Sequence, residues 1–256
     1  MTFDRIQAEK LSSAVVRQIE LLILRGVLRP GERLPSEREL SDQLGVSRPS
    51  LREAISELQV KGLLDTRAGA GVYVADVLGS AFNESLVQLF ATHEEAVFDY
   101  IAFRRDMEGL AAARACTHGS DTDLRIVDTI FKKMEAAHTK RNPADEAALD
   151  ADFHMAIIEA SHNIIMLHMM RSMFDLLKEG VFYNRSVMFK QRTRRDTLLD
   201  QHRAINDALQ ARNPEAARKA VNDHLSYVEG SLASQHKSEA HEQIALKRLT
   251  QEETRT

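Results

Sequence analysis

"LPSERELSDQLGVSRPSLREAISELQVKGLLDTRAGAG", residues 34–71, decides the fold: its helix-boundary signals follow in one order and four arginines sit beside them. Ser36 and Glu39 have the spacing of a capping box, in which two side chains satisfy each other's backbone amides at a helix start. Gly45 supplies the stop. Ser47 then caps the next helix, Pro49 is tolerated in its first turn, and Gly62 lies just past Val60. Two helices joined this tightly predict a helix-turn-helix. Leu51, Ala54, Ile55 and Leu58 share the inward face of the second helix, so Arg48 and Arg52, four residues apart, share an outward one.

Upstream, "LSSAVVRQIELLILRG", residues 11–26, places Val15, Val16, Ile19, Leu22 and Ile23 at helical spacing, with Ser12 or Ser13 expected as the cap and Gly26 as the stop. Downstream, "LLDTRAGAGVYV", residues 63–74, alternates into a glycine-tipped hairpin with Val72 and Val74 on one side and Arg67 near the tip. Three helices and a hairpin make a winged DNA-reading head. A guanidinium at Arg48, in the first turn of a recognition helix, can pair bidentately with guanine, which discriminates by about 1–3 kcal/mol. Arg52 reaches base or phosphate. Arg38 suits either contact, and the helix N-termini capped by Ser36 and Ser47 attract phosphate oxygens. Gly69 and Gly71 would let the wing backbone approach a groove closely. The alternative is that Arg48 and Arg52 are solvated side chains pairing with Glu53 and Glu57.

Composition bounds the rest. With 256 residues, 43% hydrophobic and 28% charged, the chain can bury cores for two domains. Its net charge of −4 gives no hint of a polyanion partner, so a nucleic-acid reading rests on where the cations sit. No apolar run approaches the roughly 20 residues of a membrane span. The start "MTFDRIQAEKLSS" lacks the apolar core of an export signal. A cytoplasmic protein with no membrane partner is expected. One cysteine, Cys116, excludes an internal disulfide and an all-cysteine zinc site, and reads as a small packing residue.

The expected organisation is a DNA-binding head over residues 1–76, a linker at 77–80, a helical domain over 81–236 and a frayed polar tail from 237 to 256. The helical part divides into seven amphipathic segments with short breaks, with Pro143 and Pro214 near two helix starts. The fold class is mainly α: a winged helix-turn-helix followed by an all-α antiparallel bundle.

Ten histidines are scattered along the chain, and most, His162 and His168 among them, read as structural. Asp150 and His154, four apart in "DADFH", share a helix face, which Asp152 cannot. His202 lies beside Ile205 and Leu209, and His224 beside Val221 and Leu225, which puts both near the bundle interior. Three imidazoles and a carboxylate suit zinc or a related divalent ion, manganese and nickel included, if the bundle brings them together. Such a site could also activate water in an enzyme. Against that stand the absence of HExxH, a DNA-reading head, and no evident additional general base near the ligand positions.

Residues 11–75 resemble the winged helix-turn-helix of the GntR family of bacterial transcription regulators, on "LRPGERLPSERELSDQLGVSRPSLREAISELQVKGLL" and the glycine hairpin. The resemblance implies operator contacts by Arg38, Arg48 and Arg52, with Ser47, Ser50 and Gly69 carried over beside them; Pro49 departs from the small polar residue of some relatives. The helical half resembles the ligand-binding domain of the FadR subfamily, in which an aspartate and three histidines hold a metal, and Asp150, His154, His202 and His224 match their order. "DFHMAIIEASHN" and "ARKAVNDHLSYV" most resemble regulators that answer to lactate, glycolate or pyruvate. The implied protein is a regulator, expected as a repressor, whose affinity for a palindromic double-stranded operator is set by a small carboxylic acid at the metal. Arg104 would anchor the acid; its alternative is an ion pair with Asp106 or Glu108. A homodimer is expected because one small head contacts too few bases for tight selection. A second reading keeps the DNA binding but makes the metal purely structural.

Overall fold

The computed structural model describes residues 10–67, 70–76, 84–140, 142–178 and 192–255. Gly69 of the expected wing tip and the expected linker at 77–80 lie outside them. The chain divides into two compact units, Met1–Ala81 and Phe82–Thr256.

The first unit contains α1 (Leu11–Leu24), α2 (Glu37–Leu44), α3 (Arg48–Val60), β1 (Leu64–Arg67) and β2 (Gly71–Val74). The capping box at α2 forms: the Ser36 N–H donates to Glu39 Oε2 at 3.0 Å, and the Glu39 N–H to Ser36 Oγ at 3.3 Å. Gly45 ends α2 in the left-handed region at φ 64°, where any other residue is strained. Ser47 Oγ accepts the Ser50 N–H and opens α3, with Pro49 in its first turn. Leu51, Ala54, Ile55 and Leu58 are buried against Val15, Val16, Ile19 and Ile23 of α1. Each large side chain buried there contributes about 1.5–3 kcal/mol relative to exposure.

The start of α1 differs from the expectation. Lys10 is the N-cap, without a side-chain cap bond, and Ser12 is buried inside the helix. The helix face that buries Val15 and Ile19 also takes Ser12, so its hydroxyl is drawn into the core instead of standing at the end.

The hairpin pairs Leu64 with Val74, Asp65 with Tyr73, Thr66 with Val72 and Arg67 with Gly71. Residues 31–34 run along its outer edge: the Leu34 N–H donates to Val72 O, and the Gly31 N–H to Val74 O, both at 2.9 Å. Gly71 sits at φ 111°, a conformation strained for any other residue, and a Cβ there would also lie 3.1 Å from Arg33 Nε.

The second unit is helical throughout its described residues: α4 (Glu84–Thr92), α5 (Glu94–His118), α6 (Asp121–Lys140), α7 (Pro143–Ala160), α8 (Ile164–Lys178), α9 (Arg192–Gln210) and α10 (Pro214–Glu253). Asn142 and Asn213 cap α7 and α10 through side-chain oxygens, with Pro143 and Pro214 following them, where a missing N–H costs nothing. Helix α5 packs against α10 and α7, α6 packs against α7, and α9 rests on α6 and α10. Arg212, at φ 50°, straps the α9–α10 turn to the α5–α6 turn by donating to Cys116 O, Gly119 O and Asp121. Cys116 is buried among these helices, where desolvation pushes its thiol pKa up.

The C-terminal expectation is also corrected. Instead of fraying from 237, α10 runs unbroken for 40 residues to Glu253. Its polar end contains Ala, Glu, Gln, Lys and Leu, which favour helix, and no proline or glycine after Gly230 to stop it. The ring of His236 meets Phe98 of α5 edge-on at 6.1 Å, and nearly all residues beyond are exposed.

Candidate functional site

In the first unit, Arg38, Arg48, Arg52 and Arg67 are all exposed. Arg38 and Arg48 form no ion pair among the described residues. Arg52 donates to Glu37 Oε2 of α2 at 2.8 Å, so its partner is neither Glu53 nor Glu57 of its own helix. Glu53 is paired with Lys10, and Glu57 with Lys61. The hydroxyls of Ser47 and Ser50 lie 2.9 Å apart at the start of α3, which ties both to the cap. Arg67 stacks over the Tyr73 ring at 4.2 Å. Arg33, Arg52 and Arg67 line a cleft of about 550 Å³ between α2, α3 and the wing. The N-terminus of α2, at Ser36 and Glu37, borders the same cleft, and with these cations it suits the phosphates and base edges of a duplex.

In the second unit, α7, α9 and α10 bring Asp150, His154, His202 and His224 together, all four buried, with one ligand atom from each within 4.8 Å of the others. His202 Nε2 lies 3.0 Å from Asp150 Oδ1 and 3.3 Å from His154 Nε2. His154 Nε2 lies 3.8 Å from Asp150 Oδ1. A tetrahedral ion with bonds of about 2.0–2.1 Å holds its ligand atoms roughly 3.3 Å apart, so these separations bracket what such an ion needs. The three rings are close-packed, His202 and His224 at 4.5 Å between centroids, and Phe153 closes one side edge-on to His202. Asp152, two residues from both Asp150 and His154 and so on the opposite face, is exposed.

The outer nitrogens explain which atoms face inward. His154 Nδ1 lies 2.5 Å from Glu108 Oε2 of α5. His224 Nδ1 lies 3.0 Å from Gln201 Oε1, an acceptor, so the imidazole must carry its proton there and present Nε2 as a lone pair. This is how imidazole ligands are oriented in metal sites. Without a cation, converging lone pairs and a carboxylate would repel in a dry interior.

The electrostatics agree. Burial holds the His224 pKa well below 6.5, and the neighbouring His202 and His154 push it the same way. Burial also lowers that of His154, opposed by Glu108. Burial raises the Glu108 pKa, but Arg104 and His154 outweigh it and hold the carboxyl at about 2. Both shifts favour the neutral imidazole at His154 and His224, the form that binds metal.

Sequence reasoning missed Glu108. It accepts from Arg104 Nε at 2.6 Å, so the structure supplies the ion pair that was the alternative role of Arg104. Both are buried, with the Phe174 ring 5.0 Å from the guanidinium. The signal was present: Val97, Ile101, Arg104, Glu108, Ala111 and Ala115 form one buried stripe of α5, and two charges four apart in such a stripe must pair. Engaged by both Arg104 and His154, Glu108 is an ionised acceptor and not a free base.

Comparison with known proteins gives these sites a family. Residues 11–74 match the bacterial regulatory proteins of the gntR family, and residues 99–227 match the FCD domain. The chain is 34% identical over 227 residues to an Escherichia coli protein named as an L-lactate dehydrogenase operon regulator, covering 87% of this chain and 86% of that one. It is 32% identical over 225 residues to the Glc operon transcriptional activator of Escherichia coli, covering 87% and 89%. It is 29% identical to the HTH-type transcriptional regulator LutR of Bacillus subtilis, covering 83% and 96%. The solved structure of Streptococcus agalactiae GntR shares the fold at a TM-score of 0.51 and 23% identity, covering 85% of this chain and 98% of that one. No helix among the described residues is long and apolar enough to cross a membrane. With a winged helix-turn-helix head, a helical FCD half and relatives that are regulators and not enzymes, the chain belongs to the GntR family of DNA-binding transcription regulators, in its FadR-type branch.

Proposed function

We propose that this regulator senses a small 2-hydroxy or 2-keto carboxylic acid, such as lactate, glycolate or pyruvate, at a divalent metal held by Asp150, His154, His202 and His224. The observation that carries the reading is the convergence of those four buried ligand atoms within 4.8 Å. Zinc is the ion we favour, with manganese or nickel as substitutes on the same oxygen and nitrogen set. When bound, the ion supplies positions that a carboxylate and its adjacent oxygen can fill together. The similarity to regulators named for the Glc and L-lactate dehydrogenase operons supports that class of acid.

Arg104 is proposed as the anchor for the acid's carboxylate. Its Nε is committed to Glu108, so the acid joins or displaces contacts that the guanidinium already makes. On the DNA side, Arg38, Arg48 and Arg52 read the operator, with Ser47, Ser50, Arg67 and Gly69 at the cap and the wing. Two copies are proposed to bind one palindrome in the cytoplasm, as a repressor released by the acid. Operator affinity then changes by the acid's differential affinity for two states, and by no more.

The burial of all four ligand residues favours a second reading, in which the metal only stabilises the helical unit. One titration separates the two. Metal-loaded protein is bound to its promoter DNA and challenged with lactate, glycolate and pyruvate separately. A shift in affinity with one acid, lost in His154→Ala, supports sensing; unchanged affinity with all three supports the structural role.

A further inference from the structure

Two of the three imidazoles in the cluster have an outer partner for Nδ1, Glu108 for His154 and Gln201 for His224. His202 has none: its Nδ1 is buried without a hydrogen bond, although the residue is fully enclosed. Such a group is costly if it stays unsatisfied. His202 also walls a cavity of about 10 Å³, together with Met134, His138, Glu146, Arg195 and Leu199. That space is the size of one water, for which roughly 10–15 Å³ suffices.

The same cavity is also walled by a carboxylate, whose oxygens have lone pairs to spare for a further donor. Glu146 is buried and held by Arg195, whose Nε donates to Oε2 at 3.0 Å. Glu146 Oε1 lies 2.7 Å from Arg195 Nη2 but makes no well-aligned hydrogen bond. An imidazole whose Nε2 faces the cluster carries its proton on Nδ1, a donor, and the carboxylate is an acceptor. A single water can accept from the first and donate to the second. The register of α7 supports the pairing, since Glu146, Asp150 and His154 recur every four residues along one face.

We propose that Glu146, braced by Arg195, is the positioning residue for His202, acting through one buried water. The inference rests on the metal reading above and extends it to the third imidazole. The carboxylate fixes the tautomer and ring angle of His202, as outer partners of metal-binding imidazoles do. Arg195 fixes Glu146 in place, and its Nη2 also donates to the His138 carbonyl at 2.6 Å, which anchors the brace to α6.

The test measures Zn²⁺ affinity of the full-length protein by competition with a chromophoric chelator, for wild type, Glu146→Gln and the double variant Glu146→Gln/Arg195→Leu. The double variant removes both charges together and so avoids stranding a buried arginine if the single change fails to fold. The expected result is a loss of about 10–100-fold in affinity in the folded variants. A merely structural role would lower the melting temperatures of the metal-free and metal-loaded forms alike, whereas positioning lowers the metal-loaded form more. In ¹H–¹⁵N spectra of the metal-loaded protein, the His202 Nδ1 proton exchanges slowly in wild type and quickly in the variants. Wild-type affinity in both variants, with the His202 proton unchanged, overturns the proposal. A wild-type protein that takes up no Zn²⁺, Mn²⁺ or Ni²⁺ overturns the metal reading beneath it, and the two failures are thus distinct.

Discussion

His154 and Glu108 meet at 2.5 Å in the interior of the helical unit, and the same carboxylate accepts from Arg104 at 2.6 Å. One buried anion thus ties a candidate metal ligand on α7 to the arginine expected to meet the effector, one turn earlier on α5. A change at either end is felt at the other through a carboxylate buried away from bulk solvent.

Removal of metal is expected to destabilise the wild type and leave His202→Ala indifferent. A ligand at 100 times its Kd stabilises by about 2.7 kcal/mol, which for a domain of this size is roughly 5–10 °C in melting temperature. Thermal melts with and without a strong chelator check this. Equal chelator shifts in the two proteins would remove His202 from the ligand set.

Metal-free protein is expected to lose stability as the pH falls below about 6.5. The folded-state pKa of His224 is depressed well below 6.5 by burial and its two histidine neighbours, so the unfolded chain binds a proton the fold refuses. His154 acts in the same direction. Glu108, held at about 2 against an ordinary 4.5, contributes stability that is present above 4.5 and lost as pH falls through about 2. Urea unfolding of chelator-treated protein between pH 7.5 and 4.5 should show a continuous decline; stability rising between 7 and 5.5 would contradict it.

On the DNA face, Arg48→Ala is expected to cost about 1–3 kcal/mol of discrimination at one base pair of the half-site, roughly 5–150-fold. A phosphate contact behaves otherwise, weakening all sequences alike and reducing the salt dependence. Competition between the operator and single-base variants at two salt concentrations distinguishes these outcomes for Arg48, Arg38 and Arg52 in turn.

Gly71→Ala tests the wing. The φ of 111° and the Arg33 side chain 3.1 Å from the new methyl both oppose the change. A loss of about 1–3 kcal/mol is expected, read in the unfolding of the full chain. An unchanged midpoint would show that the wing contributes little to the stability of its unit.

Much of this was legible in the sequence because local rules carried it. Ser36, Glu39, Gly45, Ser47 and Gly62 mark their helix ends by chemistry that acts over three or four residues, and the structure places them there. The phase of Asp150 against Asp152 followed from helix geometry alone. The partners that required tertiary contact were harder to see. Glu108 stands 46 positions before His154, and Glu37 fifteen before Arg52, so nothing in their own neighbourhoods named the residue they meet. Ser12 misled because a serine near a helix start has two satisfactory positions, and burial of the α1 stripe decided between them. The tail misled because polarity was taken for disorder, while its residues are good helix formers.

The length of α10 has a mechanical consequence. From His224, inside the cluster, to Glu253 the helix is continuous, about 44 Å at 1.5 Å per residue. Packed against α5 as far as His236, the helix projects about 25 Å further, so it is an indicator needle: a tilt of about 5° of its packed part adds about 2 Å of sweep over that projecting length alone. Distances between spin labels on the exposed end of α10 and on α6 would report shifts at the cluster too small to see directly.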